Sequence, residues 1–284
     1  MKKRNLLSRL RLSGWYYLAG ALLLLVGVPL YQLLVLNPLN YGSTLSARGT
    51  NHFAAYLAWI GAHTPQFLFY RVLLIVAFAL LLTLPFNLFR IIVAQEIVGQ
   101  QDRAEEKRQR GEQEDQEQDE DEEENGQDGM PPHAWRGKGF VIIAAWAGLA
   151  GLIAYLLGAI VGNLYLIIVG HGFTPGTAVP GSFTVLYSIF SLLSNTVGAG
   201  LLALSTLFFG AMIARSGRNL WPTTWVFFGY LAIAVTALLS GSAVAIASAP
   251  TQGEATLTTP AMLLFGVWVV WLGVMLVRLK PEEP

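Results

Sequence analysis

Residues 139–214 read GFVIIAAWAGLAGLIAYLLGAIVGNLYLIIVGHGFTPGTAVPGSFTVLYSIFSLLSNTVGAGLLALSTLFFGAMIA, a run of 76 residues without Asp, Glu, Lys or Arg. About 20 apolar residues in a helix cross the hydrocarbon core of a bilayer. The run is therefore long enough for two membrane-spanning helices. Its middle, HGFTPGTAVPG at 171–181, has the Gly, Pro and Thr content that is typical of a turn between two helices.

Four further uncharged runs extend this pattern over most of the chain, at residues 12–47, 72–89, 219–253 and 255–277. Each is long enough for one crossing. The first apolar segment is longer than the core of a signal peptide, which favours an uncleaved anchor. The sequence thus predicts an all-α, polytopic transmembrane helical bundle of six spans, at about 14–36, 67–90, 139–169, 183–213, 223–248 and 258–277.

The distribution of basic residues predicts which way these spans run. Lys and Arg are enriched in cytoplasmic loops of membrane proteins. With a cytoplasmic N-terminus, 16 of the 18 Lys and Arg residues lie on the cytoplasmic side, and only Arg48 and Arg71 do not. The bias predicts that the N-terminus and the C-terminus both lie in the cytoplasm. We expect the protein to reside in the cell membrane, namely the inner membrane of a bacterium. The long loop 37–66 would then lie outside, where HFAAYLAWIGAH at 52–63 suits a short interfacial helix.

The acidic residues are concentrated in one connection. Fifteen of the 18 lie between Glu96 and Asp128, and eleven of the nineteen residues at 111–129 are Asp or Glu. Residues 111–129 contain no apolar residue and cannot bury enough surface to fold, so we expect the linker 96–138 to be cytoplasmic and largely disordered. Two roles stay open for it: a solubilising tether, or a docking strip for a basic partner or weakly bound divalent cations.

The linker divides the chain into a 2 + 4 arrangement. Residues 1–95 hold the first two spans and the outer loop, and residues 139–284 hold a predicted four-helix transmembrane bundle. Small residues recur at every fourth position of the third span. Such a stripe lets two helix backbones approach closely, either within this bundle or between two copies of the chain. Its members are Ala150, Ala154, Gly158 and Gly162.

Polar residues of the third and fourth spans form the best candidate site. Asn163 and Asn195 are the only amides deep in these spans, and an amide without a partner in lipid is costly. They either hydrogen-bond between helices or line a small polar cavity that is open to the outside. The candidate cavity residues are Asn163, Tyr165, Tyr187, Ser191, Ser194 and Asn195. Arg71, near the outer end of its span, either extends to the headgroups or binds an anionic group.

The spans contain no Asp, Glu, Lys or His at hydrocarbon depth, and the chain has no cysteine. Proton relays and ion pathways use ionisable groups within the membrane, and haem or retinal requires a His or Lys there. The sequence therefore predicts no cofactor and no metal site, and an energy-coupled pump is disfavoured. Motifs of nucleotide-binding loops, serine hydrolases and zinc proteases are missing as well, so we do not expect an enzyme.

Three stretches carry a resemblance to a known type of protein. They are YLAWIGAHTPQFLFYRVLLIVAFALLL at 56–82, ARSGRNLWPTTW at 214–225 and FGVWVVWLGVMLVRLK at 265–280. In this order the chain resembles six-span bacterial integral membrane proteins of a domain-of-unknown-function type. The resemblance implies the six-helix fold and no activity. The acidic insert departs from the compact inner loops of such proteins.

The function that these patterns favour is that of a non-catalytic accessory, scaffolding or sensing component of a membrane complex. Its expected partners are the lipid bilayer and a protein bound through the linker or the small-residue stripe, and no nucleic acid. The alternative is a small-solute facilitator or transporter with a polar site between spans 3 and 4. Transporters often contain inverted repeats and broken helices, and we find no convincing repeat between residues 1–95 and 139–284.

Overall fold

The computed structural model describes residues 3–46, 52–93, 138–215, 224–248 and 259–278. Within these ranges the chain forms helices and no strands, which confirms the predicted all-α class. Six helices are long and apolar enough to cross a membrane, so the prediction of a multi-pass membrane protein with six spans is confirmed. The acidic linker up to residue 137 lies outside the described residues, as do Arg48 and Glu254.

The spans begin and end within a few residues of the predicted positions. They are span 1, Leu10–Leu39; span 2, Thr64–Val93; span 3, Gly139–His171; span 4, Gly181–Ala214; span 5, Thr224–Ala247; and span 6, Thr259–Val277. A shorter helix, His52–Ala62, lies between spans 1 and 2 and is called the loop helix below. The end of the bundle near this helix is called the loop end. The opposite end, which contains Arg90 and Arg278, is called the basic end.

Each span packs against its neighbours in a closed order: 1 with 2, 2 with 3, 3 with 4, 4 with 5, 5 with 6, and 6 again with 1. The contact between the first and last spans is among the most extensive. It is close because glycines face each other, so that a Cβ added at Gly14 would lie 3.1 Å from the carbonyl oxygen of Gly273. The contacts therefore join the first two spans and the last four in one bundle. The 2 + 4 arrangement describes the order of the spans along the chain. The contacts between the spans do not separate them into a group of two and a group of four.

Aromatic rings fill the centre of the bundle from its middle towards the basic end. Phe78 of span 2 lies 4.1 Å from the Tyr155 ring and 6.4 Å from the Phe265 ring, measured between ring centroids. Trp268 stacks on Phe228 at 5.0 Å. We call these five residues the aromatic plug. Because lipid tails are as apolar as these side chains, close packing rather than escape from water stabilises this part of the bundle.

Several spans depart from a regular α-helix. Span 1 contains two π-helical segments, Leu23–Gly27 and Gln32–Leu36, on either side of Pro29. Span 4 contains a third, Leu192–Gly198. Span 2 is interrupted at residues 80–83, directly before Pro85, where Leu81 and Leu82 donate to carbonyls three residues earlier. A proline lacks a backbone N–H and clashes with the preceding turn, which accounts for irregular helix near Pro29 and Pro85.

The loop helix packs on the end of span 3. A Cβ at Gly61 would collide with the carbonyl oxygen of Gly170, so the two backbones are in direct contact. Trp59 donates its Nε1–H to the Leu39 carbonyl at 2.6 Å and stacks on His63. The predicted helix at 52–63 therefore exists, and its inner face is buried against the bundle.

Candidate functional site

A cavity of about 230 Å³ lies among spans 1, 2, 3, 4 and 6, in the half of the bundle nearest the loop end. Polar side chains share its wall with aliphatic ones. The polar and aromatic lining residues are Gln32, Tyr70, Arg71, Tyr155, Asn163, Tyr187, Phe190, Ser191, Ser194, Asn195 and Thr259. The aliphatic lining includes Leu24, Val28, Leu74, Leu166, Met262 and Leu263. Because Tyr155 belongs both to this wall and to the aromatic plug, the plug begins at the bottom of the cavity.

Five of the six side chains that the sequence suggested for a polar cavity line this one. The exception is Tyr165, which does not contribute to the wall. Its ring stacks on Phe183 at 5.8 Å, within a second apolar cluster near the loop end. Tyr165 lies two residues from Asn163 on the same helix, a spacing that places two side chains on different faces.

Asn163 is the most informative residue of the wall. Its side chain is only 9% exposed and it lines the cavity. Within the part of the chain that the structure describes, its amide makes no hydrogen bond. The sequence analysis gave a hydrogen bond to another helix as the alternative role of Asn163. Asn163 forms no such bond with a described residue. A buried amide that no protein group satisfies is costly, and water or a ligand in the cavity is the remaining source of partners.

Asn195 lies deeper in the cavity, within the π-helical segment of span 4. Its Nδ2 donates to the Ser191 hydroxyl oxygen at 3.4 Å, on the same helix. The Ser194 hydroxyl donates to the Phe190 carbonyl at 3.0 Å. These bonds leave the Asn195 carbonyl oxygen as an acceptor and the Ser191 hydroxyl as a donor. π-helical segments occur often at functional sites, and this one widens the helix where its polar residues meet the cavity.

Arg71 lines the cavity, whereas the sequence left open whether it extends to the lipid headgroups or binds an anionic group. It lies seven residues after Thr64, about 10 Å from the end of span 2 at 1.5 Å per residue. Its Nη2 donates to the Tyr56 hydroxyl of the loop helix at 3.1 Å. The guanidinium carbon lies 5.0 Å from the centre of the Phe67 ring, close enough for a cation–π interaction.

Span 1 contributes a polar side chain that the sequence analysis did not select. The Tyr70 hydroxyl donates to Gln32 Oε1 at 3.3 Å, which leaves the Gln32 amide N–H groups as donors. Gln32 lies about 10 Å from the loop end of its span and Asn163 about 12 Å from that of span 3. Gln32, Arg71 and Asn163 thus lie at a similar depth. A signal was present, because all three are strongly polar residues within apolar segments, but their common depth is not visible along the sequence.

The small-residue stripe is divided between two surroundings. Gly158 and Gly162 pack against span 4, where a Cβ at Gly158 would lie 2.9 Å from the Ser194 Cβ. Ala154 is half-buried and Ala150 is exposed on the surface of the bundle. The two glycines therefore serve packing within the bundle, and they also allow span 4 to bring Ser194 to the cavity wall.

Among the described lining residues of the cavity, Arg71 carries a formal charge, and the others contribute amides, hydroxyls, aromatic rings and aliphatic groups. In chemical terms the described part of the wall supplies hydrogen-bond donors and acceptors next to a cation. Ser191 is paired with an amide, which cannot act as a base for a nucleophilic attack. The arrangement is suited to binding.

Comparison of the chain with protein-family models, with curated proteins and with solved structures gives no match.

Proposed function

We propose that this chain is a non-catalytic membrane protein that binds a small solute in the cavity and facilitates its passage across the membrane. The observation that carries the proposal is Asn163, a buried amide on the cavity wall that makes no hydrogen bond to a described residue. A small number of polar groups in a concave, largely apolar site is the common pattern of small-molecule binding sites.

The position of the cavity supports passage rather than binding alone. The cavity occupies the loop-end half of the bundle, and the aromatic plug closes the other half. Such a shape corresponds to one of the two states of alternating access, in which a central site opens to one side at a time. The interruption of span 2 at 80–83 begins two residues after Phe78 of the plug. A broken helix at that position is a suitable hinge for moving the plug.

A test without a known solute uses the absence of cysteine from the chain. Single cysteines at Ser194, in the cavity, and at Ser205, buried beyond its base, are treated with a membrane-impermeant thiol reagent from either side of vesicles. We expect Ser194→Cys to react from the loop-end side and Ser205→Cys to react slowly from the basic side. The matched control is Leu157→Cys, because Leu157 is exposed on the surface of span 3 at mid-depth, where a thiol in lipid should not react.

The possible results separate the parts of the proposal. Lack of reaction at Ser194→Cys from both sides would contradict a water-filled binding cavity. Reaction at Ser194→Cys without reaction at Ser205→Cys would contradict passage and leave a binding or sensing protein. Scaffolding through the acidic segment 111–129 depends on residues outside the described ranges, and it stays a prediction.

A further inference from the structure

Spans 1 and 6 separate from each other beside the cavity. They are in close contact at Leu25, since a Cβ added at Gly266 would lie 2.8 Å from Leu25 Cδ2. One turn nearer the loop end, Pro29 of span 1 and Leu263 of span 6 both line the cavity and are both exposed. From Val28 onwards the main contacts of span 1 are with span 2. The cavity therefore reaches the surface of the bundle between Pro29 and Leu263, and we call this opening the lateral gap.

The exposure of the lining residues shows how far the lateral gap extends. Pro29, Thr259 and Leu263 are exposed, and the other described lining residues are buried or half-buried. Thr259 begins span 6 and Leu263 lies one turn deeper, so the opening runs from the loop end into the membrane. With span 1 centred in the bilayer, Pro29 lies about 7 Å from the centre at 1.5 Å per residue. The hydrocarbon core extends about 15 Å to either side of the centre, so the gap faces acyl chains.

The cavity wall has an apolar side at the gap and a polar side away from it. In the closed order of six spans, spans 3 and 4 lie opposite the seam between spans 6 and 1. They contribute Asn163, which makes no hydrogen bond to a described residue, and Asn195, whose carbonyl oxygen is an acceptor. On spans 1 and 6 the two polar lining residues, Gln32 and Thr259, lie towards the loop end. The other lining residues of these spans are aliphatic: Leu24, Val28, Pro29, Met262 and Leu263.

We propose that the cavity binds the uncharged head group of a single-chain amphiphile, whose tail passes through the lateral gap into the bilayer. This inference rests on the proposed function, since it names the class of solute and the route by which it enters. A hydroxyl or amide head group both donates and accepts hydrogen bonds, as the amides of Asn163 and Asn195 do. Binding then supplies partners to a buried amide that is costly to leave unpaired.

The size of the cavity favours a bound head group over an enclosed lipid. Its volume of about 230 Å³ is below the range of about 300–1,000 Å³ that is usual for sites enclosing a drug-sized ligand. It holds a head group and the first few carbons of a chain. The remainder of the chain has to lie outside the cavity, and the lateral gap leads from the cavity to the acyl chains of the bilayer.

The ligand class is tested by protection of Ser194→Cys from N-ethylmaleimide in vesicles. Monolaurin in the bilayer supplies an uncharged head with a tail, dodecane supplies the tail alone, and glycerol in solution supplies the head alone. An occupied site slows labelling by a factor of 1 + [L]/Kd, so monolaurin at about ten times its Kd should slow it about tenfold. Dodecane and glycerol should not slow it. Asn163→Leu should weaken the protection by monolaurin, because the head group loses a hydrogen-bond partner.

The route is tested by a larger side chain at the rim of the lateral gap. Leu263→Trp should abolish the protection by monolaurin, because the indole occupies the space through which the tail passes. The matched control is Val267→Trp. Val267 is exposed one turn further along the same helix and lies outside the cavity wall, so the protection should persist. The protected rate of each variant is divided by its own unprotected rate, and size-exclusion profiles in detergent show whether it is folded. Leu263→Phe takes the place of a Leu263→Trp variant that does not fold.

Several results would overturn the inference while the proposed function stands. Protection by glycerol alone would show a soluble solute that enters from the loop end. Equal protection by dodecane and monolaurin would show that the head group is not recognised, and stronger protection by laurate than by monolaurin would show that an ionised head is preferred. Equal protection in the Leu263→Trp and Val267→Trp variants would exclude the lateral gap as the route. Absence of all labelling at Ser194→Cys would instead contradict the proposed function.

Discussion

At the scale of single residues, two buried asparagines differ in their partners. Asn87, near the basic end, donates to the Tyr17 hydroxyl at 2.5 Å, and this hydroxyl also lies 3.0 Å from Thr83 Oγ1. Asn163 makes no such bond within the described part of the chain. The first amide connects spans 1 and 2, whereas the second faces the cavity. The same residue type therefore serves stability at one end of the bundle and the site at the other.

This difference predicts opposite effects of the same substitution. Asn87→Leu removes a hydrogen bond between helices and should lower the free energy of unfolding by about 1 kcal/mol, the scale measured for such bonds in membrane proteins. Asn163→Leu removes an amide without a protein partner and should leave the stability unchanged or raise it. Thermal unfolding in detergent measures both variants. A larger loss in Asn163→Leu than in Asn87→Leu would show that Asn163 has a structural partner, and it would remove the main support for the cavity as a binding site.

At the scale of helices, spans 3 and 4 are held together by glycines. A Cβ at Gly151 would lie 2.9 Å from both the Gly198 carbonyl oxygen and the Leu202 nitrogen, and neither backbone atom can move alone. We expect Gly151→Val to force the two helices apart and to destabilise the protein by about 1–3 kcal/mol, as overpacking does in other proteins. Thermal unfolding and the labelling rate of Ser194→Cys both report this change.

The neighbouring residue provides a control for that substitution. Ala150 is exposed on the surface of the bundle, so Ala150→Val should leave stability unchanged if this surface faces lipid. Should Ala150→Val instead convert a dimer into a monomer in detergent, the small-residue stripe would serve contact between two copies of the chain, which was the other interpretation of the sequence. Mass measurement of the detergent complex separates the two results.

The spans could be predicted from the sequence, and their arrangement could not. Length and lack of charge are sufficient to locate a crossing such as Leu10–Leu39. The contact between Gly14 and Gly273 has no comparable signal, because lipid and neighbouring helices are both apolar and hydrophobic periodicity does not mark the inner face. The same limit applies to Arg71. A cation near a helix end indicates headgroup contact as readily as a cavity, and only the position of the loop helix decides between them.

At the scale of the whole molecule, we expect the cavity and the acidic linker to act independently. The described residues of the cavity wall belong to spans 1, 2, 3, 4 and 6. Replacement of residues 111–129 by an uncharged Gly, Ser and Gln segment of equal length should therefore leave the labelling rate of Ser194→Cys within about twofold, as expected of distant and independent sites. A larger change would mean that the linker controls the state of the bundle. Loss of co-purifying proteins with an unchanged labelling rate would support a docking role for the segment.

The basic residues predict the orientation of the molecule, and that orientation decides to which side the cavity opens. Because 16 of 18 Lys and Arg residues lie on one side in the predicted topology, that side should be cytoplasmic and the loop end should face outward. Alkaline phosphatase, which is active only in the periplasm, should be inactive when inserted at Asp119 or fused after Pro284, and active when inserted after Gly253. Green fluorescent protein should give the reverse pattern. Phosphatase activity at Asp119 together with cytoplasmic fluorescence at the C-terminus would make an odd number of crossings necessary between the two points. Spans 3 to 6 could then not all cross the membrane, and a cavity that shares residues of spans 3, 4 and 6 could not exist as described.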